Sequence, residues 1–524
     1  MGSVLDSSDR EALKARVKQL TRESRTFQTA VSVLVAADVL TDADWPGPRT
    51  PSGTGTSVST KQDRKGGSLV RNLVISDDVK SMEEHILRAE AAIHPAAGGV
   101  PPFPCGSEAE ARTLAELCAA VRVTVANVGT NVADTAWRLG IIERVSVSLL
   151  PLTRKIREEV SPQHIRCTPF EHVHIALVAA IVEALDWPDT DLPARLAIGA
   201  QVTGVLEPTN VWDVQDRPSS LGLSFLDLPH EQWNAWLAAD IESRALRMRP
   251  DATECAASLW EKCVAELDRG LCDGPWDAAD LDALFGRGCW RAMRRFAVVQ
   301  NGSVRACDDA AESLHNAGTS QTDKLRTAQA DFPARVARLF HAAVPRDAAR
   351  WSLVHGTMDL ESAYRRVLTA APGYCVVALW DPTAGRVRFL TQPGYNFGLV
   401  SAVTFFNAVP AALISACRRL LGVPCTHYFD DVNVCTLAGA GDLAQAAVGT
   451  LFATAGFRFS EVKHVPVAQS TVFLGVQTSF HRLADEGVVV VGVTDKRRTK
   501  LVRSLRAVTD YCSPAEAQVL AGKL

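Results

Sequence analysis

Leu421-Gly-Val-Pro-Cys-Thr-His-Tyr-Phe-Asp-Asp-Val-Asn-Val-Cys-Thr-Leu437 decides the fold. Two apolar runs, Leu421 to Cys425 and Val432 to Leu437, flank the tetrapeptide Tyr428, Phe429, Asp430, Asp431. The pattern predicts a β-hairpin whose tip presents two adjacent carboxylates. Like charges held so close raise each other's pKa unless a cation neutralises them, and a divalent magnesium ion is the obvious one. Taken alone the motif is short, so its weight depends on what surrounds it.

Upstream, a hydrophobic strand ends at Met358, Asp359, Leu360, Glu361 and turns through Ser362, Ala363, Tyr364 into a short helix. Between it and the hairpin lie Tyr395, Asn396, Phe397, Gly398, followed by apolar positions 402, 405, 406, 409, 413, 416, 417 and 420, which is helical spacing. Gly456 to Ser460, Lys463 and Phe473 to Val476 come after the hairpin. In order and spacing, with 71 residues from Asp359 to Asp430, these segments resemble motifs A, B, C, D and E of reverse transcriptases. The resemblance extends back to Arg295–Asp309, where Asn301-Gly302 between β-prone residues predicts a hairpin. It covers about residues 290 to 524 and is closest to retroelement reverse transcriptases of the tyrosine-recombinase kind.

The resemblance implies an α+β fold, with fingers over 286–350, a palm over 351–480 and the start of a thumb over 481–524. It implies RNA-directed DNA polymerase activity with two magnesium ions, or manganese in their place. The partners would be an RNA template, a DNA or RNA primer and deoxynucleotide triphosphates. Asp359 and Asp430 would hold both ions, with Asp431 as metal ligand or support. Lys463 would protonate the departing pyrophosphate, and Arg305 would touch the incoming triphosphate. Tyr364 would exclude a 2′ hydroxyl, while Phe397 and Gly398 would approach the nucleotide and template base. Each has a plainer alternative: a surface turn for the aspartates, a half-buried core tyrosine, a loop-to-helix glycine, a solvated lysine.

Departures from the pattern favour a second reading, a degenerate or co-opted fragment that binds nucleic acid. Tyr395 and Asn396 stand where relatives usually carry Leu and Pro, and Gln300 and Ser303 flank a turn where Lys is common. An RNA-directed RNA polymerase is disfavoured because such enzymes normally carry Gly before the Asp pair, and because Tyr364 argues against ribonucleotides.

With 524 residues, 47% of them hydrophobic, the chain has material for several cores. A net charge of −4 is not the basic footprint expected of a nucleic-acid binder. Arg287, Arg291, Arg294, Arg295 and Arg305, and again Lys496, Arg497, Arg498, Lys500, Arg503 and Arg506, form two basic clusters read as phosphate contacts. Thirteen cysteines without a Cys-x-x-Cys pair argue for a reducing compartment and against a zinc site. No run of 18 uninterrupted apolar residues and no secretory signal is present, so a soluble intracellular protein without a membrane partner is expected. Met1-Gly2 lacks the Ser or Thr that myristoylation wants at Asp6.

The expected organisation is one long helix over 8–40 within an N-terminal unit 1–40, a disordered linker 41–77 and a mostly helical region 78–285. Helices are expected at 78–94, 107–126, 168–186, 229–247, 251–270, 321–343 and 442–455. A turn-rich connector is expected over 192–212, and short strands at 458–464 and 471–477. His164, His172 and His174 are set aside as metal ligands because 172 and 174 fall on different sides of a helix. Ser513-Pro-Ala-Glu516 is a capping box with few residues after it, which suggests a truncated thumb.

Overall fold

The computed structural model describes residues 7–40, 107–127, 131–160, 170–214, 224–300, 302–344 and 351–506. The linker 41–77, the expected helix 78–94, His164 and the capping box at 513–516 lie outside them.

Helices run in the order α1 (Ser7–Glu23), α2 (Arg25–Ala37), α3 (Glu108–Ala126), α4 (Asn131–Val160), α5 (Ile175–Ala184), α6 (Leu192–Ile198), α7 (His230–Ala245) and α8 (Pro250–Asp268). Then follow α9 (Ala278–Phe285), α10 (Phe332–Ala343), α11 (Val400–Leu420), α12 (Gly441–Ala455), α13 (Leu483–Glu486) and α14 (Asp495–Arg506). The expected single helix over 8–40 is broken. Ser24 leaves helical geometry and its side chain accepts a hydrogen bond from the Phe27 amide, which starts a new helix. The expected helix 168–186 shortens to α5, whose first residue follows a His174 cap, and the expected helix 321–343 begins only at Phe332. The connector expected over 192–212 opens with α6, with proline near its start. The long α4 was not anticipated.

A short parallel pair joins β1 (Gly204–Val205) to β5 (Thr319–Ser320), and two main sheets carry the C-terminal half. The first orders its strands β2 (Asp273–Trp276), β8 (Arg386–Thr391), β7 (Val376–Asp381), β3 (Ala292–Gln300) and β4 (Ser303–Asp309). Its β3–β4 hairpin pairs Gln300 with Ser303, with Gly302 at φ +75°. Because β3 and β7 pair in parallel, this sheet joins chain from both sides of the sequence boundaries drawn at 285 and 350. The second sheet is antiparallel, in the order β11 (Val465–Ala468), β6 (Leu353–Asp359), β10 (Asp431–Leu437), β9 (Cys425–Tyr428). A third, small sheet holds β12 (Ser470–Phe473), β13 (Val476–Ser479) and β14 (Val490–Val493). The expected strand over 458–464 is instead one bridge, Phe459 to Leu360, followed by a 3-10 turn at Glu461–Lys463.

The helical front half shares one continuous core with the sheets, which runs from Val17 on α1 to Phe457 after α12. Polar clamps fix it: Arg419 pairs with Asp38, the Val39 amide donates to the Arg419 carbonyl, and the His174 amide donates to the Ala455 carbonyl. Helix α11 lies at the centre. It is the one helix among the described residues long and apolar enough to cross a membrane, and most of it is buried inside the fold. A helix apolar on all sides is what a central core position requires. Two of its buried hydroxyls find partners there: Ser401 donates to the Val202 carbonyl and Ser415 to Glu116.

The most enclosed charges sit on the β3–β4 hairpin of the first sheet, where α8 packs against it. Arg295 donates from Nε and Nη2 to the two oxygens of Asp308, at 2.7 and 3.0 Å, and from Nη1 to Glu266 at 2.9 Å. Burial alone would push the Asp308 carboxyl up, but the adjacent Arg295 guanidinium outweighs it and holds the group below its ordinary value. Removing one partner of a buried pair strands the other charge, at a cost of about 3–5 kcal/mol. Arg295→Met is therefore expected to lower unfolding stability by about that amount in urea titration, and Arg295→Met with Asp308→Leu to recover more than half of the loss.

Candidate active site

Asp359 is the last residue of β6 and Asp431 the first of β10, and the two are direct cross-strand partners. The Leu360 amide donates to the Asp430 carbonyl at 2.8 Å, so Leu360 and Asp430 form the hydrogen-bonded pair. Asp359 and Asp431 are then a non-hydrogen-bonded pair, the kind in which facing side chains approach most closely on one face of a sheet. Asp430 occupies the two-residue turn with Phe429, since Tyr428 pairs with Asp431. Phe429 sits at φ +52°. Hairpin turns of this kind favour Gly at their first central position, and a bulky residue there stores about 1–3 kcal/mol. Its ring meets Tyr428 edge-on at 4.8 Å.

The carboxylates repel one another. Burial first, then Asp430 and Asp359, pushes Asp431 up to about 6. Burial and Asp359 likewise raise Asp430. Lys463 offsets part of this. Its ammonium, more than half exposed, donates to Asp359 Oδ1 at 2.6 Å. The chain places it there through the Ser460 amide bonded to the Asp359 carbonyl and the Glu361 amide bonded to the Arg458 carbonyl.

Among the described residues no three His, Cys, Asp or Glu side chains are drawn together into a closed metal cage. The donor set is nevertheless all carboxylate oxygen, which suits magnesium or manganese over softer metals. Magnesium characteristically binds through one or two carboxylates and substrate phosphates, without a dedicated protein cage. The residues present fit such an ion.

Tyr364 stands beside the acids. Its ring contacts Phe397 at 5.0 Å and Phe406 at 4.9 Å, and burial, then Asp430 and Tyr428, pushes its hydroxyl up to about 12. Gly398, at φ +96°, lies so close to the Asp308 carbonyl that a Cβ would stand 2.7 Å from it. Asn316 brackets the same turn, donating to the Gly398 carbonyl and accepting from the Val400 amide. Arg305 projects from β4, exposed and without an ion pair among the described residues.

Arg291, Arg294 and Arg295 are enclosed and engaged within the fold, which corrects the reading of those three as phosphate contacts, whereas Arg287 makes only an exposed pair. Arg287 pairs with Glu231, Arg294 with Asp240 and Glu312, and Arg295 with Asp308 and Glu266. Arg291 is buried, donates to the Ser313 carbonyl and lies over Trp233. The two departures before Phe397 are also structural. Tyr395 is fully buried with its hydroxyl donating to the Gln201 carbonyl, and Asn396 donates to Asp308 at 3.1 Å. Sequence reasoning missed Asp308 and Phe406 as supports of the site. His174, set aside as a ligand, is a buried side chain bonded to Thr153 and the Ser146 carbonyl.

No family model matches the chain, and no curated protein matches it. Among solved structures it is similar to foamy viral protease-reverse transcriptase in complex with RNA/DNA hybrid, at 13% identity and TM-score 0.36, over 52% of this chain and 30% of that one. The same foamy viral protein in complex with double-stranded DNA matches at 14% identity and TM-score 0.34, over 51% and 47%. The chain thus spans less than half the length of these structures.

Because the native state binds a proton on Asp431 more tightly than the unfolded chain does, the ionised carboxylate destabilises the fold at pH 7, and the penalty fades as pH falls through about 6. Asp431→Asn is expected to raise stability at pH 7 by about 1–2 kcal/mol once solvent screening is allowed for. Urea midpoints of native and variant chains should converge near pH 4.

Proposed function

We propose that this chain is an RNA-directed DNA polymerase of a retroelement, adding deoxynucleotides to a DNA or RNA primer on an RNA template. The observation that carries the reading is the cross-strand pairing of Asp359 with Asp431, with Asp430 at the adjoining hairpin tip. Asp359, Asp430 and Asp431 would hold two magnesium ions, which when bound activate the primer hydroxyl and stabilise the leaving pyrophosphate. The retroelement assignment, of the tyrosine-recombinase kind, rests on the order and spacing of the sequence motifs.

The side chains divide the remaining work. The Tyr364 ring, wedged between Phe397 and Phe406, is a rigid surface on which a deoxyribose fits and a 2′ hydroxyl does not. Gly398 lets backbone approach the nucleotide without a side chain intervening. Arg305, exposed on the β3–β4 hairpin, is the cation offered to the triphosphate. Lys463, three donors on a flexible stem, would leave Asp359 when a metal arrives and become available to protonate pyrophosphate.

A second reading, a catalytically degenerate fragment that binds nucleic acid, is favoured by one observation: the Lys463 ammonium already supplies Asp359 with a positive charge. Primer extension separates the two. With magnesium, deoxynucleotides and a primed RNA template, the native chain is expected to extend and Asp430→Asn to lose at least about a thousandfold in rate, the scale of removing one strong electrostatic contribution to a transition state. Tyr364→Ala should gain ribonucleotide incorporation while keeping deoxynucleotide use. A native chain that folds and binds the duplex without extending it establishes the second reading.

A further inference from the structure

Helix α4 is 30 residues long, and the fold uses one side of it. Ile142, Val145, Leu149 and Ile156 belong to the shared core, and α1, α2, α5 and α12 pack against the helix. The opposite side is open among the described residues, and it is not the polar face that a helix ordinarily shows to water. Val132 is 51% exposed, Trp137 58%, Val147 65% and Leu150 41%. Ala133, Ala136 and Pro151 are exposed with them. A contiguous apolar strip of this kind marks an interaction surface.

The repeat along the strip identifies what it fits. Ala133, Gly140 and Val147 recur every seven residues along its centre. Ala136, Glu143 and Leu150 recur along one flank, and Trp137, Arg144 and Pro151 along the other. A seven-residue repeat keeps one seam facing a second helix. When two copies of such a helix lie parallel about a two-fold axis, each flank meets the opposite flank of its neighbour. Ala136 then faces the partner's Trp137, small against large, and Leu150 faces the partner's Pro151. Glu143 faces the partner's Arg144, twice over. Neither charge is met within the chain: both are exposed and without an ion pair among the described residues, and successive residues on a helix do not face each other. The Arg144 Nη1 instead lies over Gly140, 3.4 Å from where a Cβ would stand. Antiparallel pairing would set like flanks together and lose the charge match.

We propose that the chain forms a two-fold dimer through α4, the occupant of the strip being a second copy set parallel and in register. From Val132 to Pro151 the strip is about 29 Å long and about 10 Å wide. That is small for a specific interface, so a dissociation constant of roughly 10–100 μM is expected. The dimer does not rest on the polymerase reading.

Sedimentation velocity of the full chain over about 1–200 μM tests this, and the native chain is expected to pass from monomer to dimer across that range. Glu143→Arg sets arginine against arginine on both sides of the axis, and Arg144→Glu sets glutamate against glutamate. Each is expected to weaken the dimer at least about tenfold. Mixed in equal amounts, the two variants recover both opposite-charge pairs and should associate about as tightly as the native chain. Both positions are exposed, and circular dichroism reports that each variant keeps its fold. A native chain that stays monomeric at the highest concentration, a dimer untouched by either charge reversal, or two variants that fail to associate when mixed would overturn the proposal.

Discussion

The buried carboxylate of Asp308 is the constraint on which the rest of the site depends. Four separate stretches of chain converge on it or on its partners. Arg295 reaches it from the neighbouring strand, and Asn396 donates to it from the loop before α11. Glu266 on α8 shares the Arg295 guanidinium. Arg365, one residue after Tyr364, lies 3.7 and 3.9 Å from Glu266 and Asp308. The backbone carbonyl of the same aspartate packs against Gly398. The position of Tyr364 and of the Phe397–Gly398 turn relative to the β3–β4 hairpin is therefore set by one enclosed ion-pair network. Pairs of this kind contribute little net stability against apolar replacements, yet they are costly to half-dismantle, which makes them effective at fixing geometry.

Around that anchor, the acidic strip is held in an unfavourable state. Three carboxylates meet at one end of an antiparallel sheet, one on a turn with a phenylalanine at positive φ. The sheet offers no release, because the Asp359–Asp431 register continues through seven pairs to Leu353 and Leu437, and slipping it by one residue would turn a buried apolar face outward. A cation or a proton relieves the repulsion without moving the strands. Lys463 partly serves, but its exposed, flexible stem makes it the replaceable member of the group. Fixed acids and an exposed ammonium thus share the end of one sheet.

How much of this was legible in the sequence depends on whether the signal was local. The acidic hairpin, α11 and the strand into Asp359 announce themselves by alternation or helical spacing and they form, although the first arm of the hairpin is Cys425–Tyr428 and not the apolar run Leu421 to Cys425. Helix α4 did not, although buried positions 142, 145, 149, 152, 156 and 160 recur at three- and four-residue steps. Gly140 and Pro151 interrupt the propensity while tertiary packing carries the helix regardless. The Ser24 break was hidden because a serine within a charged helical run reads equally as surface and as cap. The role of Asp308 was illegible for a different reason. Its partners lie 13, 57 and 88 residues away, and no period in a single sequence encodes them.

Charge gives the same lesson a physical form. The net value of −4 counts each arginine equally, whereas the fold does not. Arg287, Arg294 and Arg295 neutralise specific acids, so neither partner contributes much to the field felt outside. What remains outward is Arg305 on one side and the exposed Lys496, Arg498, Lys500, Arg503 and Arg506 of α14 on the other. Within that helix only Arg497 turns back, to the Leu474 carbonyl. Exposed charges farther apart than a Debye length of about 8 Å act independently at physiological salt. A polyanion would therefore respond to the local density of cations on α14 and not to the chain's overall sign. An acidic pI and a basic contact surface are compatible once the paired arginines are removed from the count.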